Sequence, residues 1–307
     1  MQTTTDAKPD EAKFSHRHID VGDVRLHVVE AGHAPFARRA TSRPLVILLH
    51  GFPEFWWSWR YQLEALAEAG FHVVAPDMRG YNFSDKPGKV EDYRIEALAA
   101  DVAGLVRALG KQRAVVVGHD WGGAAAWQFA MSHPQSLERL VILNSPHPLR
   151  MKAALGTLRQ LKKSWYMLFF QLPRLPEKFL AKDDYAAIRR TFARDGVPKP
   201  DIDRYVEAFA REGTARAAVN YYRSALGRIL RGDSSPIAAI DAPTLVLWGD
   251  RDHYMGNDLA TPSRTLVPNA RVEFISGASH WVQHNAPARV NELLIEFIAD
   301  LRSGRPS

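Results

Sequence analysis

Short apolar runs alternate with amphipathic segments along most of this chain. Continuous apolar runs occupy residues 45–49, 73–75, 114–117, 140–143 and 245–247. A continuous apolar run of this length is typical of a strand that is covered on both faces, as in a parallel sheet. These five runs therefore predict five buried parallel strands.

Two segments near the beginning of the chain have a different pattern. Residues 24–30 alternate apolar Val24, Leu26 and Val28 with polar positions, which predicts a more exposed strand. His16 and His18 are two residues apart and so share one face of a strand. The sequence offers no third ligand beside them, which favours a solvated strand over a metal site.

Amphipathic segments at residues 61–69, 95–109 and 290–301 have the apolar spacing of helices. The second of them ends at Gly110, a residue type that commonly terminates helices. Strands that alternate with helices predict an α/β fold, a doubly wound and mostly parallel sheet with helices on both faces.

The alternation stops for about 90 residues in the middle of the chain. Residues 147–236 are rich in helix-forming and aromatic residues and are interrupted by several prolines, and strand character returns only at Thr244. We predict an inserted helical lid over 147–236, between core segments 14–146 and 237–303. Residues 1–13 are polar without the apolar stretch of a secretory signal, which predicts a flexible tail.

Composition removes several function classes. The 307 residues include no cysteine, so disulfides and cysteine-bound metals are excluded, and a cytoplasmic location fits. No apolar stretch is long enough for a transmembrane helix, so no membrane insertion is expected. The net charge is +6, but the basic residues are scattered and no nucleic-acid motif accompanies them. No glycine-rich phosphate-binding motif is present, so no nucleotide cofactor is expected.

Residues 118–122 read Gly-His-Asp-Trp-Gly, between the apolar run 114–117 and a run of small residues. This strand, turn and helix layout is that of a nucleophile elbow, whose usual pattern is G-x-S-x-G. Here Asp120 stands where serine is usual. A carboxylate can displace a leaving group from a saturated carbon and form an ester, which water must then split. Asp120 is thus the candidate nucleophile, and it argues against an esterase or a lipase.

A nucleophile of this kind needs an acid and a base that follow it in the chain. Asp252 comes after the strand predicted at 245–248, and His280 comes after one predicted at 272–275. Both fall at the carboxyl ends of strands, where open α/β sheets place their sites. Asp250 is an alternative to Asp252, and one of the two would then cap a turn. An aspartate paired with His280 would orient its ring and stabilise its charged form.

Two backbone N–H groups are candidates for an oxyanion hole. Phe52 follows His50-Gly51 at the end of the first predicted buried strand, and Trp121 follows the nucleophile. Donors in these two positions stabilise the negative charge of a tetrahedral intermediate. Their side chains also contribute to an apolar pocket wall.

Together these motifs resemble the α/β-hydrolase-fold epoxide hydrolases of the soluble family. The matching segments are residues 50–60, 77–81, 118–123, 249–252 and 279–283, and the resemblance extends over about residues 24–301. It implies an enzyme that opens an epoxide to a vicinal diol through an ester of Asp120, which is hydrolysed by water that His280 activates.

The family also uses two lid tyrosines that point at the nucleophile. Residues 165–171 resemble the segment of the first, which implies Tyr166. Residues 220–223 resemble that of the second, which implies Tyr222, with Tyr221 as the alternative. The resemblance requires no metal and no organic cofactor, so the expected partners are an apolar epoxide and water. Oligomeric state is left open, including a homo-oligomer. The expected apolar lining is Phe52, Trp56, Trp57, Trp121 and Phe169.

Two other functions remain open at this point. Haloalkane and haloacid dehalogenases share the fold and the Asp–His–Asp chemistry, and Trp121 with Trp56 or Trp57 could bind a departing halide. Against this, Phe52 stands where many haloalkane dehalogenases have asparagine. The second alternative is a non-catalytic receptor or scaffold, with the aromatic run 165–170 as an interaction surface.

Overall fold

The computed structural model of the protein describes residues 13–32, 43–230 and 237–303. All but the last residue of the predicted tail, residues 1–13, lies outside the described residues. Within those ranges the strands form an eight-stranded sheet in the order β1-β2-β4-β3-β5-β6-β7-β8. The strands are β1 (Ser15–Asp20), β2 (Arg25–Ala31), β3 (Leu45–Leu49), β4 (His72–Pro76), β5 (Ala114–His119), β6 (Leu137–Leu143), β7 (Thr244–Gly249) and β8 (Ala270–Ile275).

The five continuous apolar runs form β3 to β7, and each of these strands pairs in parallel with its neighbours among them. Their side chains are almost entirely buried, because both faces of the sheet are covered. The predicted α/β class with a mostly parallel sheet is confirmed. At the other end of the sheet, β1 and β2 join by antiparallel pairing.

The prediction of an exposed strand over 24–30 is wrong. β2 lies inside the sheet between β1 and β4, and of its residues only Arg25 is exposed. This position also buries His27, whose ring hydrogen-bonds Asp77, with 2.6 Å between Nδ1 and Oδ2. The exposed edge strand is β1, where His16 contacts the ring of His27.

Helices cover the sheet, with α1 packed against α11 and α2 against α3. As predicted, α2 ends just before Gly110, which has φ +68°. These helices are α1 (Arg60–Glu68), α2 (Ile95–Ala108), α3 (Trp121–Ser132), α10 (Val282–Asn285) and α11 (Pro287–Ile298).

Between β6 and β7 the described residues form six helices, so the predicted helical insertion is confirmed, and this insertion is called the lid below. A short break with non-helical backbone at residues 182–185 interrupts its longest helix. The lid helices are α4 (Pro148–Ala154), α5 (Leu158–Lys163), α6 (Trp165–Phe169), α7 (Leu175–Arg194), α8 (Lys199–Phe209) and α9 (Thr214–Leu230). The lid covers the carboxyl edge of the parallel strands, where the candidate residues lie.

Candidate active site

Asp120 lies at the apex of a sharp turn between β5 and α3. Its backbone has φ +50° and ψ −116°, a conformation that L-residues rarely adopt and that is common at functional sites. The turn is this tight because Gly122 passes directly over β3: a Cβ there would lie 2.2 Å from the carbonyl oxygen of Leu49. Glycine is therefore required for the helix to begin so close to the sheet, and the side chain of Asp120 projects above the strand ends.

The two carboxylate oxygens of Asp120 have different surroundings. The backbone N–H of Phe52 donates to Oδ1 at 2.9 Å. Oδ2 lies 3.6 Å from Nε2 of His280, too far for a good hydrogen bond. The carboxylate is 14% exposed, so a small reactant can reach it. Trp121, the other expected oxyanion donor, is the first residue of α3.

The structure brings His280 and Asp252 together from the loops after β8 and β7. Nδ1 of His280 lies 2.7 Å from Oδ2 of Asp252, and both side chains are buried. The backbone N–H groups of Tyr254 and Met255 donate to the other oxygen, at 2.7 and 2.9 Å. These contacts hold the carboxylate so that Nε2 of His280 points at Asp120.

Asn144, which the sequence analysis did not consider, completes this arrangement. It follows β6 and donates through Nδ2 to Asp252 at 2.7 Å, while its Oδ1 accepts from the N–H of Gly249 at 3.0 Å. The alternative acid, Asp250, accepts instead from the N–H of Gly277 at 2.8 Å and so caps a turn. An asparagine directly after a predicted strand would have been the sequence signal for this role.

Charge interactions favour a protonated His280 beside two carboxylates. Burial works against the charged imidazole, but Asp252 and Asp120 outweigh it and raise the pKa of His280 well above its ordinary value. Burial also opposes ionisation of Asp252, yet His280 and the hydrogen bonds that Asp252 accepts lower its pKa. Asp252 is therefore ionised at neutral pH.

Tyr166 of α6 and Tyr222 of α9 lie together on the lid side of the site. Their rings pack edge to face with 5.8 Å between centroids, and Tyr222 also contacts Phe52 and Trp121. Burial raises the pKa of both hydroxyls, and the negative charge of Asp120 raises each further. Both phenols are thus neutral hydrogen-bond donors close to the carboxylate of Asp120.

Tyr221 occupies a different environment from its neighbour Tyr222. Its hydroxyl donates to the carbonyl oxygen of Arg79 at 2.7 Å, and its ring is fully buried. The structure therefore places Tyr221 in the packing between lid and core, away from the cavity.

A cavity of about 590 Å³ lies between the sheet edge and the lid and reaches Asp120, His280 and both Tyr166 and Tyr222. Such a volume is typical of sites for small organic molecules. Phe52 and Phe169 line it, as expected. Its other apolar walls include Phe170, Leu180, Ile188 and Trp281.

The expectation that Trp56 and Trp57 line the cavity is wrong. Both are buried in the core, where Trp56 packs on Phe14 and the indole N–H of Trp57 donates to Asp201 at 2.9 Å. Trp57 thus belongs to the contact between core and lid. Trp121 packs against Tyr222 and does not line the cavity either.

Glu54 is a further buried residue whose role the sequence analysis missed. Its carboxylate accepts from the N–H of Gly51 at 3.0 Å and contacts His119 at 2.8 Å, and the other nitrogen of His119 contacts the carbonyl of His280 at 2.9 Å. Burial opposes its ionisation, but His119 and His284 lower its pKa well below the ordinary value. Through these contacts Glu54 links the loop that contains Gly51 and Phe52 to the loop that contains His280.

Comparisons with known proteins identify the family of this chain. The family described as alpha/beta hydrolase fold matches residues 44–287. The chain is 37% identical to "AB hydrolase superfamily protein YfhM" of Bacillus subtilis (strain 168), over 91% of this chain and 96% of that protein. It is 36% identical to "Epoxide hydrolase 3" of Xenopus tropicalis, over 94% of this chain and 79% of that protein.

Solved structures of epoxide hydrolases are also similar to this chain. A Bacillus megaterium epoxide hydrolase in complex with an inhibitor superposes with a TM-score of 0.82 at 29% identity, over 92% of this chain and all of that one. Epoxide Hydrolase A from Mycobacterium thermoresistibile gives 0.76 at 31% identity, over 93% and 98%.

The fold and the elbow define a hydrolase of the α/β class, and the chain belongs to the α/β-hydrolase-fold family. Among its relatives in sequence and structure are epoxide hydrolases, which confirms the resemblance drawn from the motifs.

Proposed function

We propose that this protein is an epoxide hydrolase that converts an apolar epoxide to a vicinal diol. One observation carries the proposal: a carboxylate nucleophile, Asp120, shares an apolar cavity with two neutral phenols, Tyr166 and Tyr222. An epoxide oxygen is a poor leaving group until it is hydrogen-bonded or protonated, and two phenols do this without a metal.

In the first step Oδ2 of Asp120 attacks a ring carbon and the carbon–oxygen bond of the epoxide breaks. Oδ2 is the free oxygen, because the N–H of Phe52 already holds Oδ1. Tyr166 and Tyr222 donate hydrogen bonds to the ring oxygen, and one of them gives its proton to the alkoxide that forms. Their raised pKa keeps both phenols protonated until that strong base appears.

In the second step water attacks the carbonyl carbon of the ester, and His280 accepts its proton. The resting His280 has a raised pKa because two carboxylates face it. Esterification removes the charge of Asp120, so the pKa of His280 falls and its proton passes to the ionised tyrosine, which restores the phenol. The neutral ring then accepts one proton of the attacking water, and the departing diol oxygen takes the other. The N–H groups of Phe52 and Trp121 stabilise the oxyanion. The diol leaves with one oxygen from Asp120, which regains an oxygen from water.

A dehalogenase would use the same Asp120, His280 and Asp252, so the leaving group decides between the two reactions. Tyr166 and Tyr222 line the cavity, whereas Trp56 and Trp57 lie outside it. Phenols that can give up a proton suit an alkoxide better than a halide, which leaves without one.

The test is turnover of styrene oxide and 1-chlorobutane by the wild type, with Asp120→Ala as the blank. We expect diol from the epoxide, no chloride from the chloroalkane, and neither product from the blank. A single turnover in ¹⁸O-labelled water should place the label in Asp120 rather than in the diol. Chloride without diol would assign the protein to the dehalogenases, and an absence of both products would favour a non-catalytic use of the fold.

A further inference from the structure

An apolar stripe on the lid is exposed although its spacing is that of a buried helix face. Large apolar residues follow one another at steps of three and four along α5, α6 and the beginning of α7, a spacing that normally marks a helix face buried in the core. The members are Leu158, Leu161, Trp165, Leu168, Leu172 and Leu175, and the next step reaches Phe179. They are 40–78% exposed. We call these seven residues the lid stripe.

The concentration of exposed apolar side chains in this one region is unusual. Of the ten large exposed hydrophobic residues among those that the structure describes, eight lie between Leu149 and Phe179. Single exposed apolar residues are common on protein surfaces, but a cluster marks a surface that binds something.

Basic residues are scattered along the whole chain, but their excess over acidic residues falls in this same segment. Residues 148–180 contain seven Lys and Arg but a single acidic residue, Glu177, so this segment alone accounts for the net charge of +6. Glu177 is itself paired with Arg223 of α9, at 2.6 Å. Lys152 and Lys178 are both exposed. Apolar side chains flanked by cations are the pattern of helices that lie in the surface of an anionic membrane.

A second copy of the chain would fit this surface poorly. A symmetric contact through the lid stripe would bring two segments of net charge +6 against each other. Extended helical pairing is also precluded, because Ser164 and residues 170–174 interrupt the helices after five or six residues. Anionic lipid supplies both the apolar medium and the opposite charge.

The lid stripe is continuous with the cavity. Trp165 and Phe179 are 59% and 44% exposed and also line the cavity wall, next to Lys162 and Lys163. The cavity therefore reaches the surface where the apolar stripe lies. An apolar molecule dissolved in a bilayer could enter the cavity from a protein bound there without first crossing water.

We propose that the lid stripe and its flanking cations dock this protein on the surface of an anionic lipid membrane. The contact is interfacial, because the exposed side chains of the lid stripe lie along short helices at the protein surface. Apolar burial and electrostatic attraction each contribute to such binding. The proposal concerns binding and does not depend on the reaction proposed above.

The test is sedimentation of the full chain with phosphatidylcholine vesicles that contain no anionic lipid or about one third phosphatidylglycerol. We expect strong binding to the anionic vesicles only, and loss of that binding as salt is raised. Lys152→Gln with Lys178→Gln should weaken it about fivefold for each charge removed. Leu158→Gln with Leu168→Gln, two positions outside the cavity, should weaken it about tenfold or more.

Matched controls separate the lid from the rest of the surface. Phe274→Gln removes an apolar residue of β8 that is 50% exposed, and Arg94→Gln with Arg107→Gln removes two exposed charges from the core. Both control proteins should bind vesicles as the wild type does, with unchanged circular dichroism for every variant. Equal binding to neutral and anionic vesicles, or wild-type binding by the leucine variant, would overturn the proposal. So would a dimer in analytical ultracentrifugation that the leucine changes dissociate, since a second copy would then occupy the stripe.

Discussion

Replacing Asp252 by asparagine should separate the two chemical steps. The carboxylate accepts four hydrogen bonds: Oδ2 from His280 and Asn144, and Oδ1 from the N–H groups of Tyr254 and Met255. An asparagine amide has one accepting oxygen and one donating nitrogen. In either orientation, its NH₂ group meets two of these donors.

The structure allows the size of the effect to be estimated. Each buried donor left without an acceptor costs about 1–3 kcal/mol, so two cost about 2–6 kcal/mol if nothing else changes. His280 can relieve one conflict by moving its proton from Nδ1 to Nε2, but it then cannot accept a proton from water. An equivalent change in a serine protease triad lowers kcat about 10⁴-fold. We expect a loss of about 10³- to 10⁴-fold in turnover, confined to ester hydrolysis.

The assay is rapid mixing with styrene oxide followed by mass spectrometry of the intact protein. Asp252→Asn should react once at a rate within about tenfold of the wild type and then accumulate an ester, because Asp120 needs no base to attack. The adduct should lie on the peptide that contains Asp120, with a mass increase equal to that of the substrate. The matched control is Asp250→Asn, which changes a turn-capping carboxylate two residues away and should turn over normally. Equal losses in the two variants, or hydrolysis at the wild-type rate by Asp252→Asn, would refute the reasoning.

Three further predictions follow from other regions of the structure. Tyr166→Phe and Tyr222→Phe should each slow single-turnover ring opening by about 10- to 100-fold and together nearly abolish it, whereas Tyr221→Phe should leave that rate unchanged; normal rates in both single variants would remove these tyrosines from the mechanism. Burial lowers the pKa of His147 to about 4, so the unfolded chain binds a proton below about pH 6.5 that the folded protein binds only near pH 4. Denaturant titrations should show the free energy of unfolding falling by up to about 3 kcal/mol as the pH is lowered from 6.5 to 4. His147→Gln should make this pH dependence less steep; an unchanged pH dependence would contradict the assignment. Gly122→Ala should lower the melting temperature by pushing α3 off β3, at a cost of about 1–3 kcal/mol; a wild-type melting temperature with full activity would show that the elbow tolerates a side chain.

Much of the fold followed from local pattern. The apolar runs predicted β3 to β7, because a strand buried on both faces must be apolar at every position. The end of the strand–helix alternation at residue 147 predicted the lid. The nucleophile elbow could also be predicted from the sequence, because Gly118, Asp120 and Gly122 lie within five consecutive residues. The same local pattern failed for β2, where alternation suggested exposure. β2 is buried because it lies between β1 and β4, and the pairing of His27 with Asp77, 50 residues away, satisfies the buried ring.

Other features depended on contacts between residues far apart in the chain. The choice between Asp250 and Asp252 depends on Asn144 and His280, which come from other strand ends. Tyr221 and Tyr222 are adjacent, yet one bonds the backbone of Arg79 and the other lines the cavity.

For the lid stripe the local pattern fails in the other way, because it predicts burial where the residues are exposed. Its spacing is legible in the sequence, from Leu158 to Phe179, but spacing alone predicts burial. Only the packing of the lid leaves these side chains exposed. Periodicity determines which residues share a face of an element, because backbone geometry is local. What that face meets is decided by the tertiary structure, because burial depends on elements brought together from distant regions of the chain.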